Sequence, residues 1–129
     1  MLKTLGLRHL ALRVRDIQRS KAFYTETMGM RVVWEPDARN SYLTSGTDNL
    51  ALHELDPNEQ ILGTQSLDHL GFIVGSPDEV RLWADHLEAR GANIIAPPRA
   101  HRDGSFSLYL TDPDQNLIQI LYLPDTLIS

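Results

Sequence analysis

The sequence has 129 residues with a formal net charge of −5, and its 42% hydrophobic and 22% charged residues are the proportions of an ordinary soluble globular domain. It contains no cysteine, which excludes disulfides, thiolate metal sites and cysteine nucleophiles. The acidic balance and scattered basic residues argue against nucleic-acid partners, and the lack of an apolar run near ~18 residues argues against a membrane span.

The first half predicts one strand, one helix and then three strands. Over residues 7–14, Leu10 and Leu12 alternate with residues such as His9, as in a strand with one buried face. Asp16 is a typical N-cap for a helix of about three turns, which Gly29 ends. Extended runs cover residues 30–35, 41–45 and 50–55, with turns at 36–37 and 46–49.

The second half repeats this order. An alternating strand covers residues 68–74, and Ser76 to Glu79 form a capping box for a helix that Gly91 ends. Three more strands are predicted over residues 92–97, 105–111 and 116–123, and the polar segment 56–65 joins the halves. Because the N-terminal strand lacks the continuous apolar segment of a signal peptide, we expect a cytoplasmic protein.

The two halves also match in detail. The tripeptide at 42–44 recurs at 109–111, Asn49-Leu50 recurs as Asn116-Leu117, and each first strand carries one histidine at the same place, His9 and His69. The sequence therefore predicts an α+β fold, a single domain over residues 1–129 built from two βαβββ modules at about 5–56 and 66–123. We expect the two sheets to form one cup-shaped mixed β-sheet with the helices outside.

Three polar side chains lie where the strands should face into that cup. His9 and His69 occupy the face opposite the large aliphatic residues, since side chains alternate along a strand. Imidazole is a common ligand of divalent metals, and two of them related by duplication would make half a site. Gln119 lies between two isoleucines, so its amide should also face inward, where its oxygen can bind a cation.

A fourth donor is expected on the corresponding strand of the first half, which contains His53 and Glu54. Only one of them can face inward. The unbroken 67-residue offset pairs Leu52 with Gln119 and would favour Glu54. We prefer His53, because this orientation keeps Leu50 and Leu52 in the core.

The opening run LRHLALRVRDIQRSKAFYTETMGMRVVWE and the closing run SLYLTDPDQNLIQI resemble the vicinal oxygen chelate superfamily, which includes glyoxalase I, bleomycin-resistance proteins and extradiol dioxygenases. The likeness covers about residues 5–123. It implies a metal site of His9, His69 and Gln119 with His53 or Glu54 as fourth ligand or base. It also implies that Tyr109 and His101 are active-site proton donors or orienting groups. Two residues depart from the family pattern: Gln119 stands where a glutamate is usual, and Gln115 where a turn glycine is usual.

The resemblance implies a metal-dependent enzyme acting on a small molecule with vicinal oxygens, as a lyase or isomerase of the glyoxalase type or as a ring-cleaving dioxygenase. The divalent metal would be Fe, Mn, Ni or Zn, and the protein is expected to be a homodimer. The rival interpretation is a binding protein of the bleomycin-resistance type. It would hold a planar ligand between four aromatic residues, Trp34, Tyr42, Phe106 and Tyr109.

Overall fold

The computed structural model of the protein describes residues 2–60 and 66–127. It divides the chain into two units, residues 1–63 and 64–129. The linker predicted over 56–65 therefore lies partly outside the described residues. Within residues 2–60 and 66–127, no helix has the length and apolar character needed to cross a bilayer.

The first unit contains one sheet and one helix. Helix α1 (Ile17–Ala22) starts at the predicted N-cap, where the Asp16 carboxylate accepts a hydrogen bond from the Arg19 backbone N–H at 3.1 Å. It continues through a π-helical turn (Phe23–Thr27). The four strands lie in the order β1-β4-β3-β2, with β1 parallel to β4 and the other pairs antiparallel: β1 (His9–Val14), β2 (Arg31–Asp37), β3 (Asn40–Thr44) and β4 (Asn49–Glu54).

The second unit has the same topology. Its helix α2 (Pro77–Ala89) begins at Ser76, whose hydroxyl accepts from the Glu79 backbone N–H at 3.2 Å. The strand order is β5-β8-β7-β6, again with the first pair parallel: β5 (Leu70–Val74), β6 (Asn93–Ala100), β7 (Phe106–Thr111) and β8 (Leu117–Tyr122). The predicted α+β fold of two βαβββ modules is confirmed.

In each unit the helix packs on one face of its own sheet, and the aliphatic residues of the strands point to that face. Val80 and Leu87 of α2 are fully buried, as are Leu108 and Ile118 of the central strands beneath them. Burying such a side chain stabilises a fold by about 1.5–3 kcal/mol. This burial fixes the strand orientation, because the next residue along each strand must then point to the other face. We call this second face the helix-free face of each sheet.

The predicted ends of two strands were wrong. The turn predicted at Pro36-Asp37 belongs to β2, and β6 runs on through Pro97 to Ala100. Both β2 and β6 are edge strands and both contain register shifts. Proline is tolerated at such positions because an edge strand does not need every N–H for pairing.

Candidate active site

The helix-free face of the second sheet brings three predicted site residues together. Tyr109 and Gln119 are directly paired across β7 and β8, and Gln119 is paired with Gly71 of β5. His69 lies two residues before Gly71, about 7 Å along the strand, and its ring is 5.5 Å from that of Tyr109 in an edge-to-face contact. The structure thus places His69, Tyr109 and Gln119 on one small area of this face.

The His69 ring is fixed by its sequence neighbour. Its Nδ1 donates to the Asp68 carboxylate at 2.6 Å, which leaves Nε2 with its lone pair available. A carboxylate on the far nitrogen is the usual support of a metal-binding histidine, since it orients the ring and raises the basicity of the other nitrogen.

Gln119 is held by a hydroxyl that the sequence did not suggest. Its side chain is only 6% exposed, and its Nε2 donates to the Ser107 Oγ at 2.9 Å. Because this oxygen already accepts from Gln119, its own hydrogen is available to His101 Nε2, which lies 2.7 Å away. The amide nitrogen is thereby occupied, and Oε1 is the Gln119 atom available to a cation or substrate.

A cavity of about 660 Å³ lies beside these residues, within the size range of small-molecule sites. Tyr109, Gln119 and His101 line it, together with Arg99, Ala100, Arg102, Asp103 and Ser105. Hydrogen bonds from the Ser105 hydroxyl and backbone N–H lower the pKa of the Asp103 carboxyl. Asp103 is therefore an anion at the rim of the cavity at neutral pH.

His9 lies on the helix-free face of the first sheet, at the same place in β1 that His69 holds before β5. Its Nδ1 donates to the Asn49 Oδ1 at 2.8 Å. As with His69, a neighbouring oxygen fixes the ring and leaves Nε2 for a ligand.

His53 also lies on the helix-free face of the first sheet, because β1 and β4 are paired in register and Arg13 is its partner. Its Nδ1 donates to the Asn40 Oδ1 at 2.6 Å. However, Arg13 is four residues beyond His9, roughly 13 Å along the strand. Side chains stand nearly perpendicular to a sheet, so at this spacing His9 and His53 do not converge on one ion.

The register also corrects the expected equivalence between the halves. Leu43 pairs with Leu50 in the first sheet, and Leu110 pairs with Ile118 in the second, an offset of 68 rather than 67 residues for the last strand. The residue equivalent to Gln119 is therefore Ala51 and not Leu52, so the offset-based reason for turning Glu54 inward fails. Alanine supplies no fourth ligand there.

The Glu54 side chain points to the helix side of the first sheet. Its carboxylate accepts from the Ile17 backbone N–H at 2.9 Å, so it satisfies a free N–H in the first turn of α1. One of its oxygens also lies 3.7 Å from the Arg39 guanidinium. The alternative orientation with Glu54 facing inward is therefore wrong, and a catalytic role for it has no structural support.

Two of the aromatic residues predicted to hold a planar ligand lie on opposite faces of their sheet. Phe106 lies on the helix side of its sheet, 4.5 Å beneath the Arg81 guanidinium of α2, whereas Tyr109 lies on the helix-free face. In the first unit, Trp34 and Tyr42 remain together, with ring centroids 4.9 Å apart.

Over residues 2–60 and 66–127, no three His, Cys, Asp or Glu side chains are grouped so as to hold a metal ion. A site built from these described residues would therefore need another kind of donor as well. The pair His69 and Gln119 fits this need in the second unit, since its two free atoms are an imidazole nitrogen and an amide oxygen. Such nitrogen and oxygen donors suit borderline divalent ions.

The profile of the Glyoxalase/Bleomycin resistance protein/Dioxygenase superfamily matches residues 6–120. The chain belongs to this superfamily. It is 30% identical to the glyoxalase domain-containing protein RDO1 of Mycosarcoma maydis, over 89% of the chain and 66% of that protein. It is 25% identical to a protein of Vibrio cholerae named probable lactoylglutathione lyase, over 88% and 87% of the two chains.

The fold is confirmed as glyoxalase-like by solved structures. A lactoylglutathione lyase from Agrobacterium tumefaciens superimposes with a TM-score of 0.76 and 23% identity, over 92% of this chain and 94% of that one. At this identity the likeness shows the fold alone.

Four residues that hold the predicted site residues in place were not identified from the sequence: Ser107, Asp68, Asn49 and Asn40. Each supports a predicted site residue rather than facing a ligand itself. Asp68 could have been found, because it directly precedes His69. The other three depend on cross-strand register, which the sequence alone does not give.

Proposed function

We propose that this protein is a metal-dependent enzyme that acts on a small molecule carrying vicinal oxygens. The proposed ligands in the second unit are His69 and Gln119, and the proposed ligand in the first unit is His9. The observation that carries the proposal is the arrangement of His69, Tyr109 and Gln119 on one face, with the ring held by Asp68 and the amide held by Ser107. His9 is included because it holds the equivalent position and because its Nδ1, like that of His69, donates to a side-chain oxygen, here of Asn49 instead of Asp68.

A bound divalent ion would supply Lewis-acid polarisation of the substrate oxygens. The residues of the chain contribute positioning and proton transfer. The Tyr109 hydroxyl can hold or donate a proton beside the substrate, since Tyr109 both pairs with Gln119 and lines the cavity. His101 can accept a proton at Nε2 through the Ser107 hydroxyl.

The donor set of the proposed site favours one class of reaction. The three proposed ligands carry no negative charge, so a bound divalent ion would retain its full charge for polarising a carbonyl. This favours a lyase or isomerase of the glyoxalase type over ring cleavage. The latter typically uses two histidines and one carboxylate on iron.

Metal content of the purified protein tests the proposal. We expect one divalent ion per chain after incubation with Mn²⁺ or Zn²⁺ and gel filtration. The variants His69→Ala and Gln119→Ala should lose it, and His86→Gln on α2 should keep it as the matched control. A wild-type protein without stoichiometric ion, or equal loading of all variants, would contradict the proposal.

A second candidate function is non-catalytic binding of a planar ligand. Trp34 favours it, because 58% of this residue is exposed while its ring tilts 34° against Tyr42, which leaves an aromatic surface accessible. A binder of this kind should retain its ligand in His69→Ala. An enzyme should lose metal and turnover together.

A further inference from the structure

We propose that Arg99 and Arg102 form a subsite for a carboxylate group of the substrate, beside the proposed metal ligand Gln119. Both arginines line the same cavity as Gln119 and Tyr109. This inference rests on the proposed function, since it assigns the class of substrate, a carboxylic acid with vicinal oxygens, to the same site.

Irregular pairing between β6 and β7 places Arg99 at this cavity. Between the pairs Ala96–Tyr109 and Arg99–Ser107, β6 advances by three residues while β7 advances by two. An extra residue in one strand changes the face to which later side chains point, and such bulges are frequent beside active sites. Because directly paired residues share a face, Arg99 lies on the helix-free face with Ser107 rather than on the side of α2.

The charges at the cavity are unbalanced. Among the described residues, no carboxylate forms an ion pair with Arg99 or Arg102. Some arginines elsewhere in the chain do have such partners, for example Arg13 with Glu59 and Arg81 with Asp78, each at 2.8 Å. Two guanidinium groups without an ion pair to a described residue thus line one cavity of a protein with a net charge of −5.

Asp103 forms no ion pair with either arginine, and its Oδ1 accepts from the Ser105 backbone N–H and hydroxyl at 2.9 and 2.6 Å. Two guanidinium groups against one carboxylate leave an excess of positive charge around the cavity. The planar fork of a guanidinium matches a carboxylate with two parallel hydrogen bonds.

Two probes that differ by one charge test this subsite. The compounds 3,4-dihydroxybenzoate and 3,4-dihydroxybenzamide share the same vicinal oxygens, and their dissociation constants are measured by calorimetry. We expect the benzoate to bind about tenfold more tightly to the wild-type protein. This ratio should fall to near one in Arg99→Gln/Arg102→Gln, while binding of the amide stays unchanged.

Arg81→Gln is the control for loss of charge away from the cavity, since it removes one positive charge from the helix side of the same unit, and it should keep the wild-type ratio. Equal affinities for the two probes, or no binding of the benzoate, would overturn the subsite. Chelation of the metal separates the two proposals. If the benzoate preference persists in metal-free protein and metal analysis is negative, the subsite stands while the proposed enzymatic function fails.

Discussion

Gln119 is the residue at which the donor set departs from the usual pattern, and its replacement by glutamate should strengthen metal binding. The variant Gln119→Glu adds a negative charge at the ligand position, where its attraction to a divalent ion exceeds that of an amide dipole. We expect about a tenfold lower dissociation constant for Mn²⁺ or Zn²⁺. Competition with a chromogenic chelator measures it.

The Gln119→Glu change also alters the hydrogen bond with the Ser107 hydroxyl, because a carboxylate can accept hydrogen bonds but cannot donate one. In Gln119→Glu the hydroxyl would turn from His101 toward the new carboxylate. Ser107→Ala in the Gln119→Glu background serves as the control for this rearrangement. An unchanged or weaker metal affinity in Gln119→Glu would show that residue 119 is not a ligand.

At the scale of the elements, the sequence predicted which strands and helices form, because hydrophobic alternation and capping residues act locally. It failed where the chain departs from regular pairing, as in the prolines of β2 and β6 and the π-helical end of α1. Gln115 has φ of 68°, the left-handed region that favours glycine, in the connection that is one residue longer than its counterpart.

One contact between elements makes stability depend on pH. Glu35 of edge strand β2 accepts a hydrogen bond from the Lys21 ammonium of α1 at 2.7 Å, and its pKa is lowered, mainly by this bond and then by one from Ser41. A lowered pKa in the folded state contributes stability above the ordinary carboxyl value of 4.5, and this is lost as pH falls through the lowered value.

We therefore expect Glu35→Gln to be less stable than wild type at pH 7, with the difference shrinking below about pH 4.5. Urea unfolding at a series of pH values measures it. Lys21→Met should remove most of the same pH-dependent difference, because it removes the partner. A difference that stays constant from pH 7 to pH 3 would mean that the ion pair does not contribute.

For the whole molecule, the duplication was the most informative feature of the sequence, since it identified His9 and His69 as equivalent. The duplication also led to a wrong residue comparison in the last strands, because a fixed offset of 67 residues holds for β3 and β7 but not for β4 and β8. One extra residue before a strand reverses the face of every side chain in an offset-based comparison. The parity that favoured Glu54 over His53 as the inward residue follows directly from this offset, and the observed register instead places His53 on the helix-free face.

Metal binding should raise the stability of the folded chain, because an ion that binds only the native state shifts the unfolding equilibrium. At a metal concentration about 100 times the dissociation constant the gain is about 2.7 kcal/mol, roughly 10 °C in Tm for a chain of this size. Thermal unfolding with and without Mn²⁺ measures this shift. If His9 and His69 are both ligands, His9→Ala and His69→Ala should each abolish the shift, and His86→Gln should retain it. Loss in His69→Ala alone would restrict the site to the second unit and remove His9 from the ligands.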